Sequence, residues 1–163
     1  MFFGNKPVPD DKLCIKGITY QLENDMLNPT ELLCHAVNKG SIMLAEMALK
    51  HNADVNGFYP YENTLLDATE NNDPKMVRLL LEHNADPNRY NERGHTPLMV
   101  AAQTWHIGIV KILLEYKADI HQEASECEHI KNVLDIAIDA GDRDIIKLLK
   151  ESGAVAIYHH LAA

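Results

Sequence analysis

The sequence predicts an all-α solenoid of stacked helix-turn-helix units, and two observations support this fold class. A short marker recurs about every 33 residues, as Ala53-Asp54, Ala85-Asp86 and Ala118-Asp119, with Gly153-Ala154 as a fourth match. Apolar residues between the markers recur with helical spacing and keep the same phase in four copies. The pattern therefore predicts a row of units in which each unit contacts only its neighbours.

Each copy contains a first helix and a second helix with their own aligned residues. The first helix has a leucine at Leu33, Leu65, Leu98 and Leu134, and an alanine at Ala36, Ala68, Ala101 and Ala137. The second helix is marked by Leu44, Met76, Ile109 and Ile145. Because Ala101 and Ala102 leave little bulk, we expect another helix to lie close to this first helix.

Helix starts are marked by a polar residue followed by proline. The hydroxyl of Thr96 suits the N-cap, and Pro97 then takes the first helical position, where its missing N–H costs nothing. Asn28-Pro29 and Asp73-Pro74 open two other helices. The predicted helices include Asn28-Pro29 through Asn38, about Ile42 to Lys50, Leu98–Thr104 and Ile107–Tyr116. The four units are predicted to span residues 26–56, 57–88, 89–121 and 122–154.

Both ends of the chain carry capping signals. Residues 1–25 are expected to cover the apolar side of the first unit, and the alternation Ile18-Tyr20-Leu22 indicates a short strand there. Lys150 predicts that the outer face of the last unit is exposed to solvent, since the other units have an apolar residue at this position, at Leu49, Leu81 and Leu114. Residues 155–163 form a tail that either folds back or is disordered.

The third unit resembles an ankyrin repeat. Its TPLMVAA stretch is similar to the family's T-P-L-H-x-A start, and NTLLDAT, ELLCHAV and NVLDIAI are weaker matches in the other units. The resemblance covers roughly Met26 to Ala154 and implies an ankyrin-repeat solenoid with β-hairpin-like loops between the helix pairs. It also implies a protein-binding role, in which the hairpin tips and first helices form one concave face.

We expect partner contacts at the hairpin tips and at exposed positions of the first helices. Some of these positions follow from the resemblance and others are departures from the family pattern. Together they are Tyr59, Tyr61, Glu62, Glu70, Asn71, Glu92, Arg93, His95, Gln103, Thr104, Trp105, His129 and Lys131.

Trp105 is the first departure, because it stands where the other units have Gly40, Asn72 and Gly141, a position that favours a positive φ. Either the helix end adjusts or other contacts hold Trp105. Its side chain either packs over the helix turn or anchors an interface. The second departure is Phe58-Tyr59-Pro60-Tyr61, whose aromatic rings either fit a partner pocket or fold onto the neighbouring tip around Tyr90.

Composition and charge exclude several classes of partner. With a net charge of −9 over 163 residues and no basic cluster, we expect neither nucleic acid nor an anionic membrane as the main partner. The acidic connector at residues 122–131 is either a solvated loop or a lip that contacts a basic partner. Cys14, Cys34 and Cys127 are widely spaced and predict reduced thiols. Since no signal-peptide pattern is present, we expect a cytoplasmic monomer or a protein delivered into a host cytosol.

The sequence contains no motif for catalysis, cofactor binding or metal binding. G-x-x-x-x-G-K-[ST], G-x-S-x-G and H-E-x-x-H are all missing, and the nine histidines do not form a set of ligands. We therefore predict a non-catalytic protein-interaction scaffold with no cofactor and no metal. The alternative is an accessory domain or subunit of an enzyme with its chemistry on a partner chain. The resemblance permits host-directed microbial effectors as well as eukaryotic scaffolds.

Overall fold

The computed structural model describes residues 12–15, 18–21, 28–57, 63–126 and 129–157 of the chain. These residues form four successive helix pairs: α1 (Pro29–Asn38) with α2 (Ile42–Lys50), α3 (Thr64–Glu70) with α4 (Pro74–Glu82), α5 (Pro97–Gln103) with α6 (Ile107–Glu115), and α7 (Val133–Ala140) with α8 (Arg143–Glu151). The predicted solenoid of helix-turn-helix units is confirmed. The unit boundaries and the capping role of residues 1–25 stay predictions.

Two short antiparallel hairpins accompany the helices. In one, β1 (Lys12–Ile15) pairs with β2 (Ile18–Gln21), and in the other, β3 (Ala124–Glu126) pairs with β4 (His129–Lys131). The strand β2 confirms the prediction made from the alternation that starts at Ile18. The described part of the acidic connector before the last helix pair contains the strands β3 and β4.

Three of the helices start at the polar N-cap residues that the sequence predicts. Asn28, Asp73 and Thr96 each accept a hydrogen bond from an amide of the first turn, at 2.9, 3.0 and 3.3 Å respectively. Each bond satisfies an amide that has no partner within its own helix. The three predicted helix starts are therefore confirmed, and α5 begins at Pro97, the predicted first helical position.

Residues in the left-handed backbone conformation follow each of the helices. The first helices are followed by Gly40, Asn72, Trp105 and Gly141, and the second helices by Asn52, Asn84, Lys117 and Gly153, all with positive φ. Glycine and asparagine adopt this conformation at low cost, whereas other side chains are strained there. The two exceptions are Trp105 at φ 62° and Lys117 at φ 60°, and both belong to the α5–α6 pair. The helix end at Trp105 therefore keeps the geometry of the other units.

The first helices pack against one another more extensively than the second helices do. Buried alanines lie within this first layer, at Ala36, Ala68, Ala101 and Ala137. At one position of the second helices the buried residues are Leu80, Leu113 and Leu149, with Ala48 at the equivalent place in α2. Small side chains allow helices to approach closely, which agrees with the more extensive packing of the first helices. The expected close approach at Ala101 and Ala102 is confirmed.

Asparagine side chains join the loops of adjacent units. Asn56 Nδ2 donates to the Asn84 carbonyl and Asn56 Oδ1 accepts from the Asp86 amide, both at 2.9 Å. One unit further on, Asn88 Oδ1 accepts from the Asp119 amide at 2.7 Å. Asn56 and Asn88 occupy equivalent repeat positions, so one side-chain position fixes the register of two successive boundaries.

The last described residues fold back on α7. Asn132 Nδ2 donates to the Val155 carbonyl at 2.6 Å, and the Ile157 amide donates to Asp135 Oδ2 at 3.2 Å. Of the two alternatives for the tail, the structure thus shows folding back for its described part. Lys150 is exposed, as expected for the outer face of the last unit.

Candidate functional site

The predicted contact residues that the structure describes lie at the two opposite ends of the first helices. The helix-end rim consists of the last residues of these helices and the turns after them: residues 38–39, 70–71, 103–105 and 139–140. The hairpin rim consists of the described loops before them: residues 89–95 and 129–131. Because α5 has 7 residues, about 10 Å of helix separates the rims. The predicted positions are therefore two strips along one face of the array.

Exposed polar side chains line the helix-end rim. Glu70, Asn71, Gln103 and Thr104 are all exposed, as expected from the sequence. The Thr104 hydroxyl donates to the Val100 carbonyl at 2.8 Å, which leaves its oxygen able to accept a hydrogen bond from a partner. The rim thus presents amide, carboxylate and hydroxyl groups, and their contact with a partner stays a prediction.

Trp105 is the large aromatic residue of the helix-end rim. Its side chain is 62% exposed, and its indole Nε1 donates to the Ala140 carbonyl at 3.0 Å. Ala140 ends α7, so this hydrogen bond ties the third helix pair to the fourth. The bond satisfies the one polar group of the indole and leaves the ring accessible. Of the two alternatives for the strained position, the structure supports the second: another contact holds Trp105.

The turn between the second and third helix pairs belongs to the hairpin rim. Asn91 Oδ1 accepts from the amides of Arg93 and His95, each at 3.0 Å, and the Asn91 amide donates to the His95 carbonyl. Glu92 and Arg93 are exposed on this turn, whereas His95 is 3% exposed. The prediction that His95 is an exposed contact residue is wrong, because the turn closes on its backbone and leaves its side chain in the core beside Thr96.

Lys131 starts in the hairpin rim and reaches toward the helix-end rim. Its Nζ lies 2.9 Å from Asp139 Oδ2, and the residue is half-buried. The ammonium group is therefore engaged within the chain, which corrects the expectation of an exposed tip residue. The backbone of His129 lies in β4, and its contact role stays a prediction. The same holds for three residues outside the described ranges: Tyr59, Tyr61 and Glu62.

A second surface lies on the second-helix side, where the sequence predicted no contact residues. A groove of about 370 Å³ opens there, lined by Ile42, Glu46, Pro74, Lys75, Arg78, Leu79, Glu82 and Ile112. Arg78 Nη2 lies 3.1 Å from Glu115 Oε2, and the hydrogen bond to this carboxylate raises the pKa of Arg78. The sequence held a signal for this surface, since charged residues of successive second helices align.

The described part of the chain does not gather groups for metal binding. Among residues 12–15, 18–21, 28–57, 63–126 and 129–157, no three His, Cys, Asp or Glu side chains are placed to hold a metal ion. The thiol of Cys34 lies buried in α1. None of the described helices is long and apolar enough to cross a bilayer. The arrangement offers binding surface along both faces of a helical array.

The family model for ankyrin repeats, in 3 copies, matches residues 65–157, which is more than half of the chain. The chain belongs to the ankyrin repeat family. The matched ankyrin repeats contain the pairs α3–α4, α5–α6 and α7–α8, and the α1–α2 pair packs ahead of them in the same manner. Ankyrin repeats generally mediate protein–protein interaction.

Several other ankyrin repeat proteins are similar to this chain. One, from fowlpox virus (strain NVSL), is 33% identical over 138 residues, covering 82% of this chain and 40% of the relative. A second fowlpox virus ankyrin repeat protein is 32% identical over 123 residues, covering 74% and 28%. A Caenorhabditis briggsae protein with ankyrin repeats and a KH domain is 32% identical over 114 residues, covering 66% and 4%. This ankyrin chain thus spans less than half of each relative.

Proposed function

We propose that this ankyrin array is a protein-interaction scaffold whose partner protein binds the first-helix face, centred on Trp105. The observation that carries the proposal is the state of this side chain, which is hydrogen-bonded to Ala140 and yet 62% exposed. A ring that is ordered before binding loses little conformational entropy when a partner covers it. Tryptophan is also enriched among the residues that dominate interface energies.

The neighbours of Trp105 suit the edge of an interface. Gln103 and Thr104 lie beside it at the end of α5, and Glu70 and Asn71 occupy the same positions one unit away. Adjacent helices are spaced by about 8–10 Å, so these groups surround the ring within the area of a small contact. An apolar centre with polar groups around it is the usual composition of a protein–protein interface.

The hairpin rim extends the proposed surface. Glu92 and Arg93 are exposed there, whereas His95 is left out because it is buried. Lys131 neutralises Asp139, so the fourth helix pair contributes shape and little net charge at this place. The proposal keeps four predicted contacts of the hairpin loops: Tyr59, Tyr61, Glu62 and His129.

We further propose that the partner is a host-cell protein and that the array meets it as a monomer in the host cytosol. Two of the similar relatives are fowlpox virus proteins, and viral proteins act in the cells that the virus infects. The net charge of −9 favours a protein partner over nucleic acid or an anionic membrane, both of which attract basic surfaces.

Affinity capture with two matched variants tests the proposal. Wild type, Trp105→Ala and Met43→Ala are immobilised at equal density, and proteins captured from a host-cell lysate are quantified by mass spectrometry. Met43 is the control because it is a large apolar side chain with 64% exposure on a second helix. We expect a specific partner to fall at least tenfold with Trp105→Ala and to be retained with Met43→Ala. Equal capture by all three chains would show that the partner binds elsewhere.

A second candidate function is the binding portion of a larger assembly whose chemistry lies on another domain or chain. The observation that favours it is coverage, since the chain corresponds to 40% of one relative and 4% of another. Adding the purified chain to its captured partner separates the two functions. A change in a catalytic rate of the partner favours the second candidate, and an unchanged rate favours the scaffold.

A further inference from the structure

The second-helix face carries a groove that the proposed function does not use. The helices α2 and α4 contact each other less than α1 and α3 do, and the groove opens where they diverge. Ile42 and Leu79 supply apolar side chains to its lining, and Glu46 and Glu82 supply carboxylates. Lys75 and Arg78 also line the groove, and Arg78 is paired with Glu115, so the groove combines apolar contact surface with two carboxylates and one cation that is unpaired within the described part of the chain.

The same two repeat positions carry charged residues at each boundary between successive second helices. Between α4 and α6 they hold the ion pair of Arg78 and Glu115, whose Nη2 and Oε2 are 3.1 Å apart. In the repeat alignment, the same two positions between α2 and α4 are occupied by Glu46 and Glu82. The boundary at the groove thus presents two carboxylates where the next boundary has an arginine and a glutamate.

The like-charge pair is specific to this boundary. Between α6 and α8 the same positions again carry opposite charges, on Lys111 and Glu151. Glu46 and Glu82 are both exposed, and neither forms an ion pair with any residue in the described part of the chain. Lys75 also lines the groove, and it pairs with neither of them. Two negative charges are therefore left without the cation that the repeat pattern supplies elsewhere.

We propose that this groove binds an arginine side chain presented by a partner protein. The guanidinium group supplies the positive charge that Arg78 supplies at the next boundary, and it bonds the carboxylates of Glu46 and Glu82. Its planar fork of N–H donors can bond two carboxylates at once, whereas a lysine ammonium acts as a point charge. The aliphatic stem of the arginine then lies along Ile42 and Leu79.

Trp105 does not line the groove, so the two proposals are tested by different variants. A single exposed ion pair contributes little to stability, because solvent screens it and two side chains lose freedom. The groove adds a second carboxylate and apolar contact to such a pair. We therefore expect the site to select an arginine-containing segment and to supply only part of the affinity for the whole partner.

A fluorescein-labelled hexa-arginine peptide is the probe, titrated with the full chain and followed by fluorescence anisotropy. Glu46→Arg places an arginine within the chain itself, so it pairs with Glu82 and closes the site. Glu123→Arg is the matched control, since it makes the same charge change at an exposed position of the connector. We expect Glu46→Arg to weaken peptide binding at least tenfold and Glu123→Arg less than twofold.

Further measurements decide between the remaining explanations. Trp105→Ala should leave peptide binding unchanged, and a thermal melt of Glu46→Arg at or above the wild-type midpoint shows that this variant folds. Equal weakening by Glu46→Arg and Glu123→Arg indicates general charge attraction and overturns the proposal, as does the absence of wild-type binding at low salt. Self-association of the wild type that Glu46→Arg abolishes would assign the arginine to a second copy and overturn the partner-protein proposal.

Discussion

The first-helix and second-helix faces of the array come from the same repeat, but they differ in how closely their helices pack. Buried alanines such as Ala68 and Ala101 let the first helices approach and form a tight layer, whereas the second helices contact one another less and form a looser layer. The tight layer gives Trp105 a fixed base for its hydrogen bond to the next unit. The looser layer leaves a groove. The closely packed first helices therefore present an ordered side chain, whereas the less closely packed second helices present a cleft.

Adding volume to the tight layer is the change with the largest expected effect. Ala101 is fully buried between neighbouring first helices, so Ala101→Leu should overpack it and lower the free energy of unfolding by about 1–3 kcal/mol. Ala48→Leu is the matched control, because Ala48 is equally buried and its repeat position holds leucine in the other three second helices. Urea unfolding measures both variants. An equal loss in the two would remove the proposed difference between the layers.

A buried cap at the end of the tight layer should have the next largest effect. Asn132 is 3% exposed, accepts from the Leu134 and Asp135 amides at 3.0 and 3.2 Å, and also holds the tail through Val155. We expect Asn132→Ala to cost about 1–2 kcal/mol, at the upper end of the range for N-caps. Asn28→Ala, at an exposed cap, should cost about 0.5 kcal/mol. If thermal unfolding shows equal losses, tail contact adds nothing to the cap.

Glycine substitutions at the two strained helix ends compare the faces directly. A non-glycine residue in the left-handed conformation costs about 1–2 kcal/mol of stability, which a change to glycine recovers. Glycine offsets about 0.5–1 kcal/mol of that recovery, because it has more conformational entropy to lose when the chain folds. Lys117→Gly should therefore raise the unfolding free energy by about 0.5 kcal/mol. Trp105→Gly should give no gain, because it also removes a hydrogen bond that contributes about 1 kcal/mol. Chemical denaturation of both variants checks this, and a gain with Trp105→Gly would mean that the bond to Ala140 contributes little.

The smallest effect is expected on the loose face. Arg78 and Glu115 form an exposed pair that solvent screens, so Arg78→Ala should leave the urea midpoint within experimental error. A clear shift of the midpoint would show that the second-helix layer depends on this pair for its packing. The same variant in a salt titration serves as the control, since any electrostatic contribution should decrease as salt rises.

Helix positions could be predicted from sequence because their signals are local. Asn28, Asp73 and Thr96 each stand directly before a proline, and all three cap a helix as expected. The burial of His95 could not be predicted in this way, because it depends on how Asn91 closes the preceding turn. A residue in the same alignment column, Lys131, behaves differently because Asp139 lies within its reach.

Contacts between units could not be predicted from local sequence signals. Trp105 stood out in the alignment as an unusual residue, but the hydrogen bond that holds it joins residues 35 positions apart in different helix pairs. In the repeat alignment, Glu46 takes the position of Arg78 and Glu82 takes that of Glu115. The meaning of this match depended on the observed ion pair between Arg78 and Glu115, which shows that these two repeat positions meet across a boundary.

Time-resolved fluorescence anisotropy of the free protein tests most directly whether Trp105 is an ordered and accessible contact residue. The chain contains 1 tryptophan, so its emission reports Trp105 alone. We predict efficient quenching by acrylamide, because the ring is exposed, together with an anisotropy that decays only as the whole molecule rotates. A large subnanosecond loss of anisotropy would mean that the indole moves freely and is not held at Ala140, and would contradict the account.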